Sequence, residues 1–416
     1  MTQNPRQLAV EALIIAEQGG YSNLVLDRLL KSNPLSAANE AFFTAIFYGT
    51  IERKRTLETI LGRYVKLPIQ KMKPEIRSVL LMSLYQILFA DKVPDSAAVN
   101  EGVQLAKIGK YRQLGGFVNA VLRAVVRDKS HLISELQTTQ NLAFKFSCAP
   151  SFVRELVEQY GRTQAEAFLS SSLNSPPVYI RKNTIIEQPL SSTLNCEPTE
   201  LADCYILSDA KQALRSDDFK NGLFHVEDKA CQLACKMLEL QPGERVLDAC
   251  AAPGGKTFTM AQYLKNTGEI LACDLHPNRV RLIEQGAQRL HITNIRAIEN
   301  DARHYAPQMG EFDKILCDVP CSGYGVIRRK PEIKQKETED FISLPEIQYQ
   351  ILQTSSRYLK KGGLLLYSTC TVRFAENDFV VHRFLKENKD YKMVTGRQLM
   401  PHTDETDGFF YCLLTR

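Results

Sequence analysis

The sequence of 416 residues predicts a doubly wound α/β domain over residues 221–416, preceded by an all-helical bundle over residues 1–135 and by linker helices with a small α+β subdomain over residues 136–220. Three observations carry that prediction. From Gln241 onward, short apolar runs alternate with helical patterns, as in a parallel sheet with crossover helices. The run Val246-Leu-Asp-Ala-Cys-Ala-Ala-Pro-Gly-Gly-Lys-Thr257 sets a buried strand directly before a small glycine turn and a helix start. Before residue 130, apolar residues instead recur at helical spacing, as in Leu8, Val10, Leu13, Ile14 and Ile15.

The helical part begins at Asn4-Pro5, a capping residue followed by proline at the first helical position, and Gly19-Gly20 ends that helix. Further helices are expected over 36–61, 74–89, 96–107 and 116–127, and the short connections imply a bundle. Residues 1–135 hold 18 Lys and Arg against 12 Asp and Glu, leaving 34 against 35 in the remainder, so the net charge of +5 resides in this part. A basic helical unit suits nucleic-acid binding, although charge alone fits a solvated helical surface as well. Its main basic cluster is Arg53-Lys54-Arg55, backed by Lys66, Lys71, Lys73, Lys110, Arg112, Arg123 and Arg127.

The helical pattern runs on to Asn174, where Ser175-Pro-Pro177 interrupts it. Residues 177–183 read as a strand, either a plain edge strand or part of a small mixed sheet, and residues 222–233 lead into a helix. His225, alone among apolar neighbours, reads as structural. The expected strands of the large sheet are 245–249, 269–273, 295–299, 312–317 and 364–367, with a final pair near 391–394 and 409–414. Lys360-Lys361-Gly362-Gly363 reads as a basic helix end with a glycine cap.

Composition bounds the rest. Charged residues at 24% and hydrophobic ones at 44% describe an ordinary soluble protein, with no stretch near the roughly 18 to 20 apolar residues of a membrane span. The N-terminus lacks an apolar signal core, so a cytoplasmic location is expected, without a membrane partner. The 11 cysteines include no C-x-x-C pair, which implies free thiols and no metal site.

In a doubly wound sheet, ligands bind beyond the carboxyl ends of the strands. The residues there are Asp248, the loop Cys250-Ala251-Ala252-Pro253-Gly254-Gly255-Lys256, Asp274, Asp301, Asp318-Val-Pro-Cys-Ser-Gly323 and Ser368-Thr-Cys-Thr371. Asp274 lies 26 positions after Asp248 and closes the second strand, where a carboxylate accepts from ribose hydroxyls. The turn lacks G-x-G-x-x-G, and Pro253 removes an N–H that a diphosphate would use. A nucleoside cofactor without phosphates fits better, and S-adenosylmethionine is the expected one. Cys321 and Cys370 follow two strands which, if neighbours, end roughly 5 Å apart, so both thiols would face one substrate for covalent catalysis. Small buried hydrophobes are the alternative for both.

The string Asp248 to Thr257 resembles the first motif of the RNA cytosine-5 methyltransferases, and Gly408-Phe-Phe-Tyr411 resembles their last. Residues 77–88, Val99-Asn-Glu-Gly-Val103 and Gly116-Phe-Val-Asn-Ala-Val-Leu-Arg123 are similar to the NusB-like RNA-binding domain. Arg181 and Asn183 match the family's Arg-Val-Asn signature with Lys182 in the middle place, and Glu227 stands where the family usually has Gln. The resemblance implies a Rossmann-like class I methyltransferase domain, a NusB-like all-α bundle and a small α+β RNA-recognition-like subdomain. It implies S-adenosylmethionine contacts at Cys250, Ala251, Ala252, Pro253, Gly254, Gly255, Lys256, Asp274, Asp301 and Asp318.

Spacing leaves open which thiol attacks, since a Pro-Cys nucleophile like Pro320-Cys321 serves the DNA cytosine-5 enzymes. The resemblance assigns attack on cytosine C6 to Cys370 and product release to Cys321, with Asp318 on the cytosine edge and Lys256 paired to it. The expected partner is 16S rRNA, naked or in a partly assembled small subunit, its target base flipped out or single-stranded, with the protein a monomer. Arg328-Arg329-Lys330-Pro331 is expected to meet RNA phosphates or to be a solvated charge run. A tRNA methyltransferase and a non-catalytic RNA-binding assembly factor are the competing readings.

Overall fold

A computed structural model describes residues 4–416 without the side chains of residues 109 and 110, so Lys110 of the basic set and the first three residues of the N-terminal segment lie outside the described residues. The chain forms two compact units: Met1–Leu173 with Ile327–Asp340, and Asn174–Val326 with Phe341–Arg416.

The first unit is helical. Its helices are α1 (Pro5–Glu17), α2 (Ser22–Ser32), α3 (Ala37–Glu52), α4 (Lys54–Leu61), α5 (Pro74–Phe89), α6 (Asp95–Ala106), α7 (Gly115–Thr138), α8 (Leu142–Phe146) and α9 (Pro150–Ser171). Asn4 caps α1 by accepting from the Arg6 N–H. Helix α5 is buried over most of its length, and α1, α3, α6 and α7 pack on it. The single helix expected over 36–61 is two helices. Arg53 leaves helical geometry at φ −97°, ψ 9°, with its guanidinium over the Phe89 ring and donating to the Lys145 carbonyl at 3.2 Å. The break turns Leu57, Ile60 and Leu61 into the core. Helix α2, absent from the sequence expectations, buries Val25 and Leu29 four residues apart.

The second unit holds two sheets. The smaller is antiparallel, in the order β2 (Cys196–Pro198), β3 (Cys204–Leu207), β1 (Val178–Lys182), β4 (Phe224–Val226), with α10 (Ala210–Ala213) and α11 (Asp217–Lys220) between β3 and β4. Strand β1 is thus interior, not an edge. Its Ile180 is fully buried, which a solvated edge would not do.

Helix α12 (Lys229–Lys236) leads to the larger sheet, which comprises β5 (Arg245–Asp248), β6 (Glu269–Asp274), β7 (Ile295–Glu299), β8 (Phe312–Asp318), β9 (Leu359–Thr369), β10 (Lys392–Leu399) and β11 (Phe409–Thr415). Their order is β10-β11-β9-β8-β5-β6-β7. Strands β5 to β9 pair in parallel, and β11 runs antiparallel between β9 and β10, giving a Rossmann-like α/β arrangement. The crossovers are α13 (Gly255–Tyr263), α14 (Pro277–Arg289) and α15 (Leu344–Ser356), and α16 (Asp378–Glu387) and α17 (Pro401–Asp404) complete the unit. Ile270, Leu271, Ala272 and Cys273 of β6 are all buried, the continuous apolar run of a strand covered on both faces.

Lys360-Lys361-Gly362-Gly363 is not a helix end but the start of β9, because α15 has already ended at Ser356. The glycines serve a bulge: pairing with β8 jumps from Phe312–Leu359 to Lys314–Leu364, and Gly362 takes φ +79° while donating to the Arg416 carbonyl at 2.9 Å.

Arg181 and Asn183 brace the small sheet against its neighbours within this unit. Arg181 donates to Gln262 at 2.9 Å and lies over the Tyr263 ring. The fully buried Asn183 amide donates to the carbonyls of Gly222 (2.9 Å) and Leu290 (2.8 Å) and accepts from the Ile185 N–H. We predict that Asn183→Ala, which strips that donor from two carbonyls, lowers stability by about 2–4 kcal/mol in denaturant unfolding. A loss below about 0.5 kcal/mol, the range of an ordinary surface substitution, would show that the bracing is unimportant.

Candidate active site

The carboxyl ends of β5, β8 and β9 lie side by side, because those strands are consecutive in the sheet. Asp318, the last residue of β8, is paired with Ser368 of β9. That register brings the Ser368 hydroxyl to Asp318 Oδ1 at 2.8 Å. From the other side Lys256, in the first turn of α13, reaches Asp318 Oδ2 at 2.8 Å. Burial opposes the Lys256 charge, but Asp318, Cys231 and Glu227 outweigh it, and its pKa stands well above the usual lysine value. Its ammonium also faces the Phe409 ring at 5.3 Å, so the Gly408-Phe409 motif walls the same spot.

Cys321 lies three residues beyond β8, Cys370 one beyond β9. Their sulfurs are 3.1 Å apart. Both are half-buried, and no disulfide joins them. The hydrogen bond with Cys370, then burial, pushes the Cys321 thiol well above its ordinary pKa.

A buried network holds the two loops, and its members Glu376, Gln348, Arg373 and Gly325 were not singled out from sequence. Glu376, fully buried, accepts from the Ser322 N–H at 2.8 Å and from the Gln348 amide at 2.9 Å, and pairs with Arg373 at 3.1 Å. The same Gln348 amide donates to the Pro320 carbonyl, and Ser322 Oγ meets Thr371 Oγ1 at 2.8 Å. Gly325 donates to the Cys370 carbonyl at 3.0 Å and accepts from the Gly408 N–H at 2.9 Å. A Cβ at Gly325 would stand 1.8 Å from the Gly408 oxygen, so only glycine fits. The sequence signal for the network is faint: a Glu-Asn pair just ahead of a helix reads as capping, and nothing in its spacing points to Ser322.

The glycine turn is pinned separately. Ala251 donates to the Cys273 carbonyl at 2.7 Å, Ala252 donates to Asp274 Oδ2 at 3.3 Å, and Arg279 donates to the Ala252 carbonyl at 2.9 Å. Gly254 takes φ +113°, with the exposed Pro253 before it and α13 starting at Gly255. Asp248 is buried with Oδ2 accepting from Thr257 at 2.7 Å, while Oδ1 has no partner in the protein. Burial raises its carboxyl to about 7, and it raises the thiol of Cys250 well above the ordinary value too.

Other residues named from the sequence are engaged by neighbours of their own. Asp301 is engaged by Arg303 at 2.6 Å and by His304 at 3.3 Å, and the Arg303 hydrogen bonds hold its carboxyl down at about 2. His225 is buried as expected of a structural histidine, its Nε2 3.2 Å from Thr259 Oγ1, and Glu227 shares that threonine beneath the turn. Arg328-Arg329-Lys330 belongs to the helical unit, with Lys330 exposed and the two arginines half-buried and engaged. Among the described residues, no three His, Cys, Asp or Glu side chains gather as a metal ion would require.

Comparison with known proteins adds to this geometry. Residues 235–415 match the family model described as 16S rRNA methyltransferase RsmB/F, and residues 3–127 match the NusB family. The chain is 37% identical to a Bacillus subtilis protein named probable ribosomal RNA small subunit methyltransferase B, over 99% of this chain and 98% of that protein. A Vibrio cholerae ribosomal RNA small subunit methyltransferase B is 33% identical over 99% and 98% of the respective chains. In fold, the crystal structure of PH0851 superposes over 100% of both chains with a TM-score of 0.84 at 24% identity. A methyltransferase homologue from Pyrococcus horikoshii superposes over 66% of this chain and 97% of its own, with a TM-score of 0.59 at 26% identity. Full-length similarity at this level, together with two thiols meeting beside a glycine turn, places the chain in the RsmB-type family of 16S rRNA methyltransferases with a NusB-family N-terminal region.

Proposed function

We propose that this protein methylates C5 of a specific cytosine in 16S rRNA, with S-adenosylmethionine as methyl donor and a transient bond from Cys370 to cytosine C6. The observation that carries the reading is the 3.1 Å approach of Cys321 and Cys370 beside the Lys256–Asp318 pair. Residues 1–135 are the NusB-like RNA-binding domain, 136–220 the linker helices and RNA-recognition-like subdomain, and 221–416 the methyltransferase domain. The protein acts as a monomer in the cytoplasm, on naked 16S rRNA or a partly assembled small subunit.

The cofactor fits the turn. Asp248 Oδ1 is a buried acceptor without a donor, and an amino-acid ammonium supplies one. Residues Cys250 to Lys256, with Asp274, Asp301 and Asp318, hold the cofactor. Bound there, it supplies an electrophilic methyl group on sulfur.

The protein's own groups do the rest. Cytosine C5 is a poor nucleophile until a thiolate adds at C6. The Cys370 sulfur forms that bond as its thiol proton passes to N3, and the Asp318 carboxylate accepts the N3–H hydrogen bond while Lys256 pairs with it. The electron pair moved to C5 forms the new carbon–methyl bond. Bond formation at Cys370 also removes the neighbouring thiol that raises Cys321, so Cys321 ionises more easily at the step that needs a base. With its own proton lost to solvent, the Cys321 thiolate takes the C5 proton, the C5–C6 double bond re-forms, the C6–S bond breaks, and the N3 proton returns to the departing Cys370 sulfur.

Two outcomes are predicted. Cys370→Ala abolishes both methylation and adduct, whereas Cys321→Ala accumulates a covalent protein–RNA species on denaturing gels. The reverse pattern would exchange the two roles, and methylation of tRNA alone would reject the rRNA substrate. Secondly, a carboxyl raised to about 7 is ionised above that pH and neutral below it. Binding of S-adenosylhomocysteine, measured by calorimetry, should weaken up to roughly tenfold from pH 8 to pH 6, and Asp248→Asn should remove that dependence. An unchanged profile in the variant would dissociate Asp248 from the cofactor.

A further inference from the structure

A further carboxylate lies against the glycine turn, on residues that belong entirely to the α/β unit. Strand β4 ends at Val226, and the next residue, Glu227, is only 6% exposed. Its backbone is fixed twice: the N–H donates to the Tyr179 carbonyl at 3.1 Å, and the carbonyl accepts from the Gln232 amide at 2.9 Å. Its side chain is fixed as well. Oε2 accepts from the hydroxyl of Thr259 in α13, and His225 Nε2 stands 3.5 Å from the same oxygen. Oε1 rests against the first residue of that helix, since a Cβ at Gly255 would lie 3.0 Å from it. The preceding glycine is seated on Phe258: a Cβ at Gly254 would fall 2.3 Å from the ring, which meets the His225 ring edge to face with centroids 5.8 Å apart. Residues 225–227 thus support both glycines of the turn.

Glu227 also brings a charge. Nearby, Lys256 pairs with Asp318 at 2.8 Å and Asp274 with Arg279 at 3.4 Å, whereas Glu227 is met by a hydroxyl and an imidazole, groups that are ordinarily uncharged at about pH 8. Burial opposes its ionisation, but His225, Lys256 and Thr259 outweigh that cost and hold the carboxyl below its ordinary value. The amino end of α13 favours a negative charge there too. A buried charge is screened little by salt and acts over several ångströms.

Asp248 and Glu227 differ in what they can distinguish. The amino-acid ammonium assigned to Asp248 is present both before and after methyl transfer. The positive charge on sulfur is present only before, because the electron pair of the sulfur–methyl bond stays on sulfur. We propose that Glu227 is a specificity-determining residue whose carboxylate, seated against Gly255, favours the cationic donor S-adenosylmethionine over the neutral-sulfur product S-adenosylhomocysteine. This rests on the reading that Cys250 to Lys256 hold the cofactor. The two ligands share every other group, so a fixed charge at the turn favours replacement of spent cofactor by fresh.

The test is calorimetry on the full-length protein at about pH 8 with S-adenosylmethionine, S-adenosylhomocysteine and sinefungin, which carries an ammonium in place of the sulfonium. Glu227→Gln keeps the shape of the side chain and an oxygen to accept from Thr259, and removes the charge. It should weaken S-adenosylmethionine and sinefungin about three- to tenfold relative to S-adenosylhomocysteine, the scale of one charge acting over several ångströms in a partly dry site. Glu227→Asp, which keeps the charge, should preserve the ratio, and Asp248→Asn should weaken all three ligands alike. Equal weakening of the three by Glu227→Gln would make the residue merely structural and overturn the proposal. An unchanged ratio in Glu227→Gln, or the same fall in Glu227→Asp, would overturn it too. If the unaltered protein binds none of the three, the cofactor reading itself fails, whereas normal binding with a ratio insensitive to Glu227→Gln rejects the selectivity alone.

Discussion

Parallel pairing of β8 with β9 is the constraint on which the site depends. The register that sets Asp318 against Ser368 also fixes how far each following loop must run before its cysteine arrives. A slip of two residues would move one strand end by roughly 6.6 Å and part the sulfurs beyond any shared reaction. Register is held by side chains buried on both faces, such as Ile315, Leu316, Leu365 and Leu366, which have no alternative solvated position. The bulge at Lys360–Gly363 absorbs the mismatch at the far end of the pair and leaves the reactive end in register.

Upon that frame the site sets charges that are costly to bury. Lys256 and Asp318 offset each other, Glu376 is met by Arg373, Gln348 and the Ser322 N–H, and Asp248 is left with one unmet oxygen. In the first two arrangements each carboxylate is met by its partners, which rigidifies the loops. The third is open, which is why the glycine turn suits a ligand that brings its own donor.

Much of this was legible in the sequence, and the reasons can be named. Apolar runs such as Val246-Leu247 and Ile270-Leu-Ala-Cys273 mark strands because burial on both faces leaves no room for polar alternation. In a parallel sheet the residues after those runs collect at one edge, so Asp318, Cys321 and Cys370 could be grouped without coordinates. The helix break at Arg53, the bulge at Gly362 and the role of Glu376 were not legible, since each depends on a partner distant in the chain: Phe89 and Lys145, the C-terminal Arg416, and Ser322. Lys360-Lys361-Gly362-Gly363 was misleading because a glycine cap and a glycine bulge are the same string.

In the proposed division of labour, Cys370 bonds to the base and Cys321 frees it. RNA carrying fluorine in place of hydrogen at C5 of its cytosines offers no proton for the release step, so the unaltered protein should halt as a covalent complex. Peptide mapping of that complex by mass spectrometry is the most direct measurement. The nucleotide is expected on Cys370, and finding it on Cys321, or finding no covalent complex, would contradict the proposed roles.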